Sequence, residues 1–358
     1  MDAAWLAAVG VALVGWAVGR NHRSSSEKRR EHVRSPSTRP SFAAPPGIPS
    51  FVDKDDDDDI DVTLVTASPF RQPATSSDDL ATDGKGQHAP TVNVMYEEEA
   101  ESDEVTSPHA RILVSAEAQS DCGHVRTRNE DSLLVFPEFS LYAVADGMGG
   151  YEGGEVASSI AVETLRTAYE TASFEGTVST EAPLPRRGRE VACAIQMANQ
   201  AIMASATRDL MLAEMGTTVV AARFSPNKQR VYIGHVGDSR CYRLRGTSLR
   251  QLTTDHTMSE LGMKGPASKQ LFQAVGQKAE ITIDLIIDRP QPEDVYLLCS
   301  DGLSKMVNHE QIRQLLMSER DLQAAVGTLV ELANGAGGKD NVTVILVKVV
   351  QRISSYNA

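Results

Sequence analysis

From Arg111 onward the chain is built of short apolar runs separated by polar breaks. Nine runs rich in Val, Ile, Leu and Tyr predict β-strands at 111–118, 132–136, 141–145, 217–224, 230–236, 240–245, 281–287, 294–299 and 341–350, several bounded by Gly, Asp or Asn. Between them apolar residues recur at helical spacing, and they do so in pairs: about 153–172 with 188–208, and 309–318 with 321–335. Asn308 is placed to cap the third helix, and Gly335 with the glycines after it marks the end of the fourth. Strands in runs and helices in consecutive pairs argue against alternating βαβ units. They predict an α+β fold of two mainly antiparallel sheets with helix pairs over the outer faces.

The first 110 residues follow another pattern. Ala3 to Gly19 are seventeen uncharged, mostly apolar residues, followed at once by Arg20, Arg23, Lys28, Arg29, Arg30 and Arg34. A cleaved signal peptide carries its positive charge before the apolar run, not after it. The pattern predicts a single transmembrane anchor over 1–19, with the C-terminal side in the cytoplasm by the positive-inside rule. Residues 20–110 show no sustained period of 2 or 3.6 and are dominated by Pro, Ser, Thr, Asp and Glu. That composition predicts a disordered acidic linker, with a root-mean-square reach of about 50–60 Å if random. The apolar islands at 62–65 and 91–96, and Thr66, Thr106 and Ser107 beside acids or Pro, read as ordinary linker residues. The organisation expected is therefore an anchor (1–19), a linker (20–110), one folded domain (111–352) and a short tail (353–358).

Charge sharpens the division. Residues 51–110 hold sixteen Asp and Glu against three Lys and Arg, a net of −13 that equals the net charge of the whole chain. The folded part is therefore close to neutral, and no basic surface for nucleic acid is indicated. Cys122, Cys193, Cys241 and Cys299 are far apart with no CxxC pairing, which fits small buried thiols better than a disulfide framework or a zinc site.

Chemistry enters through carboxylates at strand ends. Asp146 follows "LYAVA", Asp238 follows "VYIGHVG", Asp301 follows "VYLLCS", Asp340 precedes "NVTVILV", and Glu130 and Asp131 precede "SLLVF". Any one of these is an ordinary turn residue. Five such placements against apolar strands exceed what turns require. Converging carboxylates repel and are costly to bury without a cation. Oxygen donors without His or Cys suit Mg2+ or Mn2+ rather than zinc.

The segments "RTRNEDS" (126–132), "VADGMGG" (144–150), "MGTT" (215–218), "VGDSR" (236–240), "TTDH" (253–256), "LCSDGL" (298–303) and "KDNVT" (339–343) together resemble the metal-dependent Ser/Thr protein phosphatases of the 2C type, the PPM superfamily, in its bacterial branch. The resemblance spans about 115–347. It implies a four-layer α-β-β-α sandwich with a binuclear Mn2+ or Mg2+ centre. Asp146 would bridge the two metals, Asp301 and Asp340 would hold one, and Glu130, Asp131 and the Gly147 carbonyl would serve the other. Asp238 with Asp301 matches a pair that holds a third, weaker metal, and Arg126 matches the arginine that grips the phosphate. The implied reaction is hydrolysis of phosphoserine and phosphothreonine by a metal-bridging hydroxide. Its partners would be phosphorylated proteins, substrates of Ser/Thr kinases, met at the cytoplasmic face of the cell (inner) membrane.

Two features depart from that pattern. Met148 stands where many eukaryotic members carry a proton-donating His, and the segment 257–283 after "TTDH" is about ten residues shorter than the corresponding flap. His124, His235 and His256 read as structural. Two other functions stay open on sequence: a phosphohydrolase for a small molecule, and a catalytically weak phosphatase-like binding module.

Overall fold

A computed structural model describes residues 90–97, 110–150, 152–174, 184–225 and 228–353. All of these belong to one unit, Ser77–Ala358. The apolar segment 3–19, the acidic run at 53–61, Thr66, Thr106, Ser107 and the end of the tail lie outside the described residues. Among the described residues no helix is long and apolar enough to cross a membrane.

The alternating runs form two sheets. The strands are β1 (Thr91–Tyr96), β2 (Ala110–Asp121), β3 (Asp131–Phe136), β4 (Leu141–Met148), β5 (Gly216–Thr217), β6 (Val219–Phe224), β7 (Val231–Val236), β8 (Arg240–Arg245), β9 (Ser248–Gln251), β10 (Thr282–Asp288), β11 (Val295–Cys299) and β12 (Val342–Ile353). The first sheet has the order β1-β10-β7-β6-β4-β3, with β5 paired to the end of β4; the second runs β2-β12-β11-β8-β9. Every pairing is antiparallel except β1 with β10.

Period-2 alternation decides what each face touches. In β11, Tyr296 and Leu298 point between the sheets, while Leu297 and Cys299 point outward to the helices. In β12, Ile345 and Val347 point inward and Val344 and Leu346 outward. Tyr142, Phe224 and Tyr296 meet edge-on at the inter-sheet centre, with ring centroids 6.0 and 5.4 Å apart. A polar pin crosses the same interface: Arg243 of β8 donates to Asp288 of β10 at 2.6 Å, and the Tyr296 hydroxyl donates to its other oxygen at 2.6 Å.

Helices α1 (Gly153–Glu170) and α2 (Arg186–Arg208) cover the first sheet. A short α3 (Asp301–Ser304), α4 (His309–Ser318) and α5 (Leu322–Gly335) cover the second. Asn308 caps α4 as expected: its side chain accepts from the Gln311 backbone N–H, and the Gln311 side chain accepts from that of Asn308. The α+β sandwich expected from the pattern is the one observed.

The clearest difference lies at 91–96, assigned on sequence to the linker. Thr91–Tyr96 pairs along its whole length with Thr282–Ile287 as an edge strand, with Val92 buried. Six residues are too few for a periodicity argument, and the partner edge exists only once β10 is in place. Strand β9 was also unforeseen: "SLRQ" has a single apolar residue and is held by its hairpin with β8.

Candidate active site

Topology brings the carboxylates to one end of the sandwich. Strands β4 and β7 run the same way in the first sheet, so Asp146, near the end of β4, and Asp238, just beyond β7, share that end. Asp131 opens the antiparallel β3 and stands directly opposite Asp146. In the second sheet Asp301 follows β11 and Asp340 precedes the antiparallel β12. Arg126, Glu130, Asp146, Gly147, Asp238, Asp301 and Asp340 line one cleft of about 280 Å³. Asp131 lies beneath it, buried.

The acids are held by backbone and hydroxyl contacts. The Asp146 carbonyl accepts from the Thr217 hydroxyl and the Thr218 N–H, each at 2.9 Å, and its N–H donates to the Thr218 hydroxyl at 3.1 Å. Ser300 spans the two sheets, donating to Asp131 Oδ2 at 2.8 Å while accepting from the Thr343 N–H. Asn341 accepts from the Glu130 N–H at 2.8 Å and donates to the carbonyls of Cys122 and Arg128, which fixes the loop carrying Arg126. Gly147 is required by a close crossing. A Cβ there would stand 2.1 Å from the Gly154 carbonyl oxygen and 2.5 Å from that of Glu130. Thr217, Thr218, Ser300 and Asn341 all sit inside the quoted motifs, but as positioning groups they carried no chemical signal of their own.

Electrostatics show what the cleft lacks. Burial pushes Asp131 up to about 7, and burial together with Asp131 and Asp301 drives Asp146 well above the usual carboxylate range. Burial also raises Asp238 and Glu130. Asp131 Oδ1 is buried with no hydrogen-bond partner. Oxygen-only donors, an excess of negative charge and an orphaned carboxylate oxygen fit hard divalent cations.

Two side-chain cations draw acids aside. Arg126 grips Asp340 through two nitrogens, at 2.9 and 3.1 Å. Lys305 reaches both Asp301 and Asp238. The sequence reading missed Lys305, and also Lys269 on the cleft wall.

Among the described residues, the one group of His, Cys or acid side chains whose ligand atoms all fall within 4.8 Å of one another is elsewhere: His235, His256 and Asp284. His256 Nδ1 receives the Gly237 N–H at 3.1 Å and faces Gln273 Nε2 at 3.1 Å. The Gln273 amide is oriented by Thr282, which donates to its Oε1 and accepts from its Nε2. The proton of His256 therefore sits on Nε2 and points at Asp284 Oδ2, 3.1 Å away. Burial pulls Asp284 upward, but His256 and Asn93 outweigh it and hold the carboxyl below its ordinary range. Burial lowers His235 to about 3 and keeps it neutral. His256, Gln273, Thr282 and Asp284 form a hydrogen-bonded network, and the His235 ring lies against it, 4.8 Å from that of His256 between centroids. The network ties the segment after "TTDH" to Gly237, beside Asp238, and Arg240 of "VGDSR" holds Asp255 of "TTDH" through a fork at 2.7–3.2 Å.

The fold agrees with comparison to known proteins. Residues 119–340 match the family model of protein phosphatase 2C. The serine/threonine phosphatase stp of Listeria welshimeri is 37% identical over 248 residues, covering 65% of this chain and 95% of that protein. The serine/threonine protein phosphatase PstP of Mycobacterium tuberculosis is 36% identical over 251 residues, 67% of this chain and 46% of that one. The crystal structure of the catalytic domain of PstP in complex with two manganese ions superposes with a TM-score of 0.58 at 34% identity, covering 67% of this chain and 99% of that one. With residues 119–340 matching that family model and its sandwich superposing on the PstP catalytic domain, this chain belongs to the protein phosphatase 2C family of metal-dependent serine/threonine phosphatases.

Proposed function

We propose that this chain hydrolyses phosphoserine and phosphothreonine in proteins, using two Mn2+ or Mg2+ ions, at the cytoplasmic face of a membrane. The observation that carries the chemistry is the convergence of five aspartates and Arg126 at one end of both sheets. Asp146 would lie between the ions, Asp301 and Asp340 would hold one, and Glu130, Asp131 and the Gly147 carbonyl would serve the other. When bound, such ions acidify water for attack on phosphorus and neutralise charge on the phosphoryl oxygens.

The protein's own groups do the rest. Positive charge among the carboxylates offsets the burial and the mutual repulsion that raise Asp131 and Asp146, so both stay ionised at neutral pH. Asp340, once turned toward a cation, releases the Arg126 fork, whose planar donors match two phosphate oxygens. Met148 has no proton to give, so it takes no part in protonating the leaving alkoxide. The serine/threonine phosphatases that this chain resembles favour a phosphorylated protein side chain as the substrate.

The membrane part rests on the apolar segment 3–19 and the six basic residues after it. Phosphopeptide hydrolysis in Mn2+, compared between wild type and Asp146→Ala and Asp301→Ala, tests the chemistry. Both variants should lose at least about a hundredfold in kcat, since each removes a metal-holding carboxylate. Equal rates would refute the metal assignment. Recovery of the full-length protein in the soluble fraction would refute the anchor.

A further inference from the structure

Lys305 follows the last residue of α3 and stands four residues beyond Asp301, which opens it. That spacing places the two on one face of the turn, and the Lys305 amine contacts Asp301 Oδ2. The same amine lies 3.4 Å from Asp238 Oδ2. The two acids come from different sheets, Asp238 after β7 and Asp301 after β11, yet one ammonium serves both. The Asp238 and Asp301 side chains are only 8% and 14% exposed. Two such carboxylates on one wall need a positive charge between them.

We infer that the Lys305 ammonium is the resident cation of the Asp238–Asp301 pair, so this corner of the cleft takes a side-chain charge in place of a third divalent ion. The inference rests on the reading of Asp146 as the centre of a two-metal site. A divalent ion at the pair would have to expel an ammonium tethered one helical turn away, against like-charge repulsion in a partly desolvated cleft. Lys305 thus separates the binuclear centre from Asp238, which would otherwise recruit a cation of its own.

The test counts bound manganese on the full-length chain, stripped of metal and titrated by calorimetry, with metal analysis after equilibrium dialysis. Wild type should bind about two ions, and Lys305→Met should bind about three, the added one at least about tenfold tighter than any further binding to wild type. Lys305→Arg, which keeps the charge within reach of both acids, should return the count to two. Adding Asp238→Asn to Lys305→Met should abolish the third ion. Equal counts and affinities in wild type and Lys305→Met would overturn the role of Lys305 while leaving the two-metal centre intact, as would three ions in wild type. No manganese on wild type would overturn the two-metal reading itself and this inference with it.

Discussion

Stripping divalent metal from the cleft should make the protein progressively less stable as pH rises from about 4 to about 7, with much of the slope residing in Asp131. This carboxyl faces Asp146 across the β3–β4 pair, accepts from Ser300 through one oxygen, and has no partner for the other. Burial raises it from 3.8 to about 7. In that window the folded protein keeps a proton that the unfolded chain has released, so folding takes up a proton and stability falls as pH increases. At about 1.4 kcal/mol for each pH unit, the ceiling is about 4 kcal/mol. For a domain of this size that corresponds to roughly 8–16 °C in melting temperature. Asp146, raised in the same direction, adds slope of the same sign. Asp131→Asn keeps the shape and can still accept from Ser300, but it cannot ionise. Melting curves in EDTA at about pH 4, 5, 6, 7 and 8 should therefore converge for the two proteins at the acid end. At the alkaline end the variant should melt higher. Excess Mn2+ should flatten or reverse the wild-type slope, because cations bind the deprotonated carboxylates. Parallel curves for wild type and Asp131→Asn in EDTA across the whole range would refute the reasoning.

The inter-sheet pin offers a second measurement: Asp288→Ala strands the buried Arg243 guanidinium and the Tyr296 hydroxyl and should cost about 3–5 kcal/mol in denaturant unfolding. A loss below about 1 kcal/mol would mean the pin is replaceable by packing or water. Gly147→Ala places a methyl group 2.1 Å from the Gly154 carbonyl oxygen. It should cost about 1–3 kcal/mol or more, and it should weaken Mn2+ binding by displacing Glu130 and Asp146 together. Wild-type melting and manganese affinity in that variant would show that the crossing relaxes freely.

Much of the fold was legible because the information was local. Cys299 and Leu298 alternate between the outer and inner faces of β11, and that alternation is written in "VYLLC" without reference to any neighbour. The Asn308 cap needs only the four residues Asn308–Gln311. The strand-end acids were visible for the same reason, since a carboxylate placed where an apolar strand stops is a local anomaly. β1 was not visible, because six residues of mixed polarity become a strand only against the edge of β10, nearly two hundred positions later.

The site divides along the same line. The sequence singled out the candidate side chains: Arg126, Glu130, Asp131, Asp146, Asp238, Asp301 and Asp340 stand in motifs whose residue types point to oxygen-bound cations and phosphate. Tertiary structure decided what those groups meet. Arg126 lies on Asp340, more than two hundred residues away. Ser300 reaches across from the second sheet to hold Asp131, and one lysine joins Asp238 and Asp301 from different sheets. Charge and hydrogen-bonding capacity belong to a residue wherever it lies in the chain. Desolvation and the identity of a counter-ion arise only when distant strands are packed to one end, so no reading of the order of residues could have assigned them.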